Sequence, residues 1–348
     1  MDMCGDECLR FDYSRRFGVE IELNSMDGRN RPLGANNPVG ADYIANLISR
    51  SLKKTVEITK WHHTNNNDFW IVKPDSSCGL EVCSPVSKGW KGLKDVCRVV
   101  EEFSNDGLIE SDERCSLHVH VEVADLSEDE IASVLYYWIK CEPVFLDSVP
   151  YNRKINRYSQ FIGLTDLIEH DAEITPSFLI SILGSVKYYS LNTYHLNKGK
   201  RKTIEFRIIG NDGCVDPFLI KNWVRLIVHF VNITSQMGIP RHYIKGDPWS
   251  SFLWLDTKDV FRLLGFWDND KILTEGVKQT RDWFLARLKK NGPLDGITRW
   301  NKDGFWSVQS RFVSNSQVSE MISILGLNKI DELLFPIGGN LIYSKEFI

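Results

Sequence analysis

Three segments of the chain alternate apolar and polar residues with a period of two. They are Phe17-Gly18-Val19-Glu20-Ile21-Glu22-Leu23, Leu117-His118-Val119-His120-Val121-Glu122-Val123 and Ile204-Glu205-Phe206-Arg207-Ile208. Successive side chains of a strand point to opposite faces, so strands are predicted over 16–23, 116–123 and 202–210. Each buries a branched or aromatic face and presents acids, histidines or an arginine on the other. Further strands are predicted over 55–61, 69–74 and 80–84. With turns at Asn65–Asp68 and Asp75–Gly79, these three read as a β meander. A strand over 187–197 is expected to pair with 202–210 around a Lys/Gly turn.

A period near 3.6 marks helices over 41–53, 87–105 and 217–237. Ser127 and Glu130 form a capping box opening a helix to about Phe145, and Thr175-Pro176 opens another. Beyond Gly238 the texture shifts to Pro/Gly punctuation and short helices over 257–264, 280–290 and 317–325. A soft boundary there divides a catalytic-type domain, 1–238, from a helical C-terminal region, 239–348, that docks on it. The aromatics of that region (Trp249, Trp254, Trp267, Trp283, Trp300, Trp306) are expected to be local core, with capping of the substrate side or assembly as the alternatives.

Composition changes this picture little. The 348 residues are 43% hydrophobic and 25% charged, ordinary for a globular protein. A net charge of -4 gives no electrostatic requirement for nucleic acid or an anionic membrane. No run approaches the ~18 apolar residues of a membrane span, and the acidic start, Met1 to Cys8, is unlike a signal peptide. A cytoplasmic chain with reduced cysteines is expected. The cysteine spacing does not suggest a zinc site.

The chemistry lies in the polar faces. Glu20 and Glu22 are neighbours on one face and repel unless a cation lies between them. His118 and His120 suit a metal or a phosphate. Glu205 offers a carboxylate beside Arg207, whose guanidinium fork suits phosphate. Alone, each motif fits an amphipathic strand or a surface ion pair. Sharing a sheet with helices behind, their faces would line one cavity for divalent cations and a polyphosphate. Glu81 resembles the other inward acids, and Asp75 is either a turn residue or part of the site.

In order and spacing these pieces resemble the amidoligase family of carboxylate–amine ligases, relatives of glutamine synthetase and glutamate–cysteine ligase. The resemblance rests on Phe17-Gly-Val-Glu-Ile-Glu22, Trp70-x-Val-Lys-x-Asp75-x-Ser77, Gly79-Leu-Glu-Val-x-Ser-Pro85, Leu117-His-Val-His-Val121 and Thr203-Ile-Glu-Phe-Arg207, and covers about 15–235. Asp75-Ser76-Ser77 departs from the family's usual Asp-Gly-Ser. The resemblance implies an α+β fold with an antiparallel, partly closed sheet and helices behind it. It implies ATP with two or more Mg²⁺ ions, Mn²⁺ being an alternative, and small-molecule or peptide carboxylate and amine substrates. Glu20, Glu22, Glu81, His120 and Glu205 would hold metal, with His118 beside them. His118, His120, Arg157 and Arg207 would contact the nucleotide, and Glu22, Glu205 and Arg207 would take part in transfer. Tyr189, Asn192 and Asp75 would line the substrate side. A metal-dependent hydrolase and a non-catalytic nucleotide-binding module are the rival readings, and the oligomeric state stays open.

Overall fold

The alternation in the motif strands divides one sheet into an apolar face under helices and a polar face that carries the site. The computed structural model describes residues 11–12, 14–26, 32–33, 38–59, 68–154, 156, 158–160, 162, 175–199, 202–239, 255, 257–266 and 273–291. Among them, ten strands form one sheet: β1 (Arg16–Met26), β2 (Pro32–Leu33), β3 (Val56–Ile58), β4 (Trp70–Asp75), β5 (Gly79–Cys83), β6 (Ser87–Lys88), β7 (Ile109–Glu110), β8 (Ser116–Glu122), β9 (Leu191–Asn192) and β10 (Thr203–Gly210). Their order is β3-β4-β5-β1-β8-β10-β9, with the two-residue strands β2, β6 and β7 also paired to β1. The long first strand is therefore the spine of the sheet.

Apolar side chains at Phe17, Val19, Ile21, Leu23, Val72, Leu80, Val82, Leu117, Val119, Val121, Ile204, Phe206 and Ile208 are buried in one hydrophobic core. They pack with α1 (Pro38–Leu52), α2 (Gly89–Asn105), α3 (Glu128–Asp147) and α7 (Pro217–Thr234). Trp138 of α3 anchors the centre. It stacks on Phe145 at 4.8 Å and meets Phe206 of β10 edge-on at 4.9 Å, so the helix layer locks the strand that carries Glu205 and Arg207. The capping box expected at α3 is present, Ser127 accepting from the Glu130 amide and Glu130 from the Ser127 amide. Ser127→Ala should cost about 1 kcal/mol of stability, read as a lowered midpoint in urea unfolding.

The structure corrects several expectations. The sheet is mixed, not antiparallel: β3 runs parallel to β4, Val56 opposite Trp70 and Ile58 opposite Val72. A tight hairpin turn joins only antiparallel neighbours, and residues 59–69 separate these two strands. Only β4 and β5 form the hairpin, Asp75 facing Gly79 across its turn. Gly79 is required there, because its φ is +133° and a Cβ would lie 2.7 Å from Asn24 Oδ1. The helix expected from Ser87 begins two residues later, since Ser87 and Lys88 pair with Phe17 and Arg16. The strand expected over 187–197 is only Leu191–Asn192. Asn192 Oδ1 then accepts from the Tyr194 amide at 2.7 Å, an Asx turn that opens the short α6 (Tyr194–Asn197).

The remaining helices are α4 (Tyr151–Lys154), α5 (Pro176–Leu183), α8 (Thr257–Leu263) and α9 (Glu275–Asn291). Val260, Phe261, Val277, Trp283 and Phe284 of α8 and α9 join the same hydrophobic core. The helix expected over 317–325 and Trp249, Trp254, Trp267, Trp300 and Trp306 lie outside the described residues. No described helix is long and apolar enough to cross a membrane.

Candidate cation and phosphate site

Strand register turns the polar face into a grid. Glu22 lies opposite Glu81, whose other neighbour is Lys73 of β4. Glu20 lies between Cys83 and His118. His120 lies between Gly18 and Glu205, and Glu205 faces Asn192. Alternation thus brings Glu20, Glu22, Glu81, His118, His120, Glu205 and Arg207 together, and register decides which of them touch.

His118 sits at the centre. Its Nδ1 lies 3.5 Å from Glu20 Oε2 and 3.3 Å from Glu205 Oε1. Its Nε2 is 2.7 Å from Ser116 Oγ, and that hydroxyl donates to Glu22 Oε2 at 2.6 Å. A hydroxyl has one proton to give. With it committed to the Glu22 carboxylate, Ser116 accepts from His118 Nε2–H, which leaves Nδ1 facing Glu20 and Glu205. A ring fixed in this way by its second nitrogen is the usual posture of a metal-binding histidine. His120 instead places Nε2 3.3 Å from the other oxygen of Glu20.

Arg207 closes the far side. Its NH1 donates to Glu205 Oε1 and lies 3.4 Å from His118 Nδ1, while its Nε donates to the Tyr158 carbonyl at 3.2 Å. The side chain is aimed by a bulge in β10, where the pairing with β8 slips between Phe206 and Ile209. The bulge turns the Arg207 and Ile208 carbonyls away from the ladder, and buried Arg153 of α4 donates to both, to Ile208 O at 3.1 Å. Asn192 Nδ2 donates to Glu205 Oε2 at 2.7 Å, so both oxygens of Glu205 are oriented.

Burial and charge set unequal acidities. Burial would raise Glu20, but the charge of His120 and hydrogen bonds from both histidines outweigh it and hold the carboxyl well below its usual range. Against the same burial penalty, Arg207, then His120 and His118, hold Glu205 at about 2. Glu81 goes the other way, pushed up to about 7 by burial and then by the charge of Glu20, against the pull of Lys73 at 2.7 Å. A carboxyl whose folded pKa is raised stabilises the fold fully below its ordinary 4.5, and that contribution is lost as pH rises through about 7. In chelator, the melting temperature should therefore decline between those pH values, and Glu81→Gln should flatten the decline.

The donor chemistry fits divalent cations. Ligand atoms lie within 4.8 Å of one another in three groups: Glu20, His118 and Glu205; Glu20, Glu81 and Cys83; and Glu22, Asp75 and Cys78. Asp75 also serves its own turn, Oδ1 accepting from the Ser77 amide at 2.7 Å and the Cys78 amide at 3.3 Å. Tyr189, expected on the substrate side, is buried in the hydrophobic core. Arg157 lies outside the described residues.

Sequence reasoning passed over four residues of this site. Ser116 and Cys83 were legible by extending the alternation one step from His118 and Glu81. Lys73 was quoted within a motif without a role, although it shares the face of Asp75. Arg153 had no signal, because it acts on a bulge that no sequence pattern announced.

No curated protein matches this sequence. Among solved structures, the chain is similar to a bifunctional glutathione synthetase from Pasteurella multocida, at 10% identity and a TM-score of 0.37, over 80% of this chain and 48% of that one. It thus spans about half the length of that solved protein. Glu205, Arg207 and Asn192 lie on strands beyond residue 177 yet complete the grid begun by β1, β5 and β8. Residues 13–177 match the family model described as "Putative amidoligase enzyme", the family that the strand motifs resemble.

Proposed function

We propose that the chain is an ATP- and Mg²⁺-dependent carboxylate–amine ligase working through an acyl phosphate, on a sheet of the glutamine synthetase and glutamate–cysteine ligase type. The catalytic part is residues 1–238, with 239–348 as its helical extension. The observation that carries this reading is the Nδ1 of His118 turned by Ser116 toward Glu20 and Glu205, with Arg207 alongside. The family match supports the reaction class.

Glu20, His118 and Glu205 would hold one divalent cation, and Glu22 and Glu81 have the chemistry to hold another, with His120 steadying Glu20. Bound there, the cations would neutralise the oxygens of a polyphosphate. The substrate carboxylate attacks the γ-phosphorus of ATP, an O–P bond forms, and the bond to the leaving ADP breaks. The amine then attacks the acyl carbon. A C–N bond forms, phosphate leaves with the C–O electron pair, and the amine's proton passes to water or a site carboxylate. Arg207 steadies the charge gathering on the transferred group, the kind of positioning on which phosphoryl transfer depends.

The test is ADP release with ATP and Mg²⁺, with and without pools of carboxylates and amines. A ligase releases ADP only with both co-substrates, a hydrolase cleaves its substrate without ATP, and a binding module releases nothing. Either of the last two outcomes would overturn the proposal.

A further inference from the structure

We infer that Glu142, a carboxylate buried within α3, is a positioning residue for Arg207. It pins a short two-segment wall that holds Arg207 at its backbone amide and at its Nε. The inference rests on the ligase reading for what Arg207 does, whereas the placement of Arg207 stands apart from any reaction.

The wall is made of residues 158–162 and 188–190. Gln160 and Tyr189 pair in parallel, the Gln160 amide donating to Tyr188 O and the Ser190 amide to Gln160 O, each at 2.7 Å. Both segments hold Arg207. Its amide donates to Ser190 O at 2.8 Å, and its Nε donates to Tyr158 O at 3.2 Å. The guanidinium therefore keeps its direction only while the two segments keep their spacing.

Glu142 sets that spacing. Its two oxygens accept from the Ile162 amide at 3.1 and 3.2 Å, and Oε1 also accepts from Ser190 Oγ. One carboxylate thus ties the first segment to the second, and both to the helix layer. Trp138, one turn earlier on the same face of α3, donates from Nε1 to the same Ser190 hydroxyl at 3.0 Å. That hydroxyl gives its proton to Glu142, so a lone pair receives the indole N–H. Glu142 is 0% exposed, and a carboxylate is among the costliest groups to bury. A leucine would fill the space at lower cost but would accept from neither segment. Arg153 holds Arg207 from the other side, at its carbonyl, so the backbone of this one residue is gripped at both ends.

Phenylglyoxal, which modifies guanidinium groups, reads the placement of Arg207 without turnover when its products are mapped by peptide mass. In Glu142→Gln, which keeps the shape and one acceptor, Arg207 should react about tenfold faster than in the wild-type chain. Exposed Arg114 should react at an unchanged rate. Ser127→Ala weakens the same helix at its far end and should leave the Arg207 rate as it is, which separates positioning from a general loss of stability. In the ADP-release assay, Glu142→Gln should lower kcat by about tenfold or more and leave the KM for ATP unchanged. An Arg207 rate equal to wild type in folded Glu142→Gln, an equal acceleration in Ser127→Ala, or an undiminished kcat would overturn the inference. Should Glu142→Gln not fold, Ser190→Ala decides. It cuts the tie to the second segment, so Arg207 should again react faster, and an unchanged rate overturns the inference. A wild-type chain that releases no ADP would count against the reaction, and the modification rates would still decide the placement.

Discussion

Glu205→Ala is expected to lower metal-dependent ADP release by about 10³-fold or more, with the fold retained. One carboxylate connects three parts of the site: Asn192 on β9, His118 on β8 and its own strand neighbour Arg207. Removing it would delete a proposed cation donor and also release the guanidinium from the position at which it would meet phosphate. The loss should fall on turnover more than on nucleotide affinity, because other carboxylates still offer cation donors in the ground state. Glu205→Gln should be nearly as damaging, since an amide keeps the shape and gives up the charge. Glu22→Ala should likewise abolish turnover. The measurements are ADP release under saturating Mg²⁺ and thermal unfolding of each variant. Normal turnover in a folded Glu205→Ala protein would remove the site as assigned.

The second large effect is expected at a residue that touches no substrate. Arg153→Met should reduce stability by about 2–5 kcal/mol and also depress turnover, because the carbonyls of Arg207 and Ile208 are left buried without donors. Arg153 is only 4% exposed, and burial followed by the nearby charge of Arg207 lowers its pKa to about 10. A guanidinium held beside another guanidinium is a costly arrangement. Its return is the pair of hydrogen bonds that hold the bulge and, through it, the direction of Arg207. Arg153→Lys keeps the charge, but a single ammonium lacks the planar fork that reaches both carbonyls. It should recover only part of the stability and little of the rate. Chemical denaturation and steady-state ADP release on the same preparations measure both, and an Arg153→Met chain with wild-type stability would refute the role given to the bulge.

The faces of the sheet were legible in the sequence because period two is a local property. Val19, Ile21, Leu117 and Val119 announced the core, and their polar neighbours announced the opposite surface. Register was not legible, since nothing local tells Glu20 to lie opposite His118 and Glu205 opposite His120. For that reason the histidine assigned to metal was His120, with His118 beside it, whereas the structure turns the Nδ1 of His118 toward two carboxylates. The bulge in β10 and the parallel entry of β3 are likewise relations between distant segments. Asn192 was legible as a candidate, but the Asx turn that cuts β9 short follows from a side chain bonding its own backbone.

The position of β10 has a consequence for how the protein is made. The chain completes β8 by residue 122, but the strand that covers its free side begins only at Thr203. A nascent chain emerging up to residue 177 would present β8 as an exposed edge, its histidine-bearing backbone ready to pair with another copy. The segment that carries the family match is thus a poor unit to express by itself. The strand that finishes the polar face therefore also covers the free edge of β8.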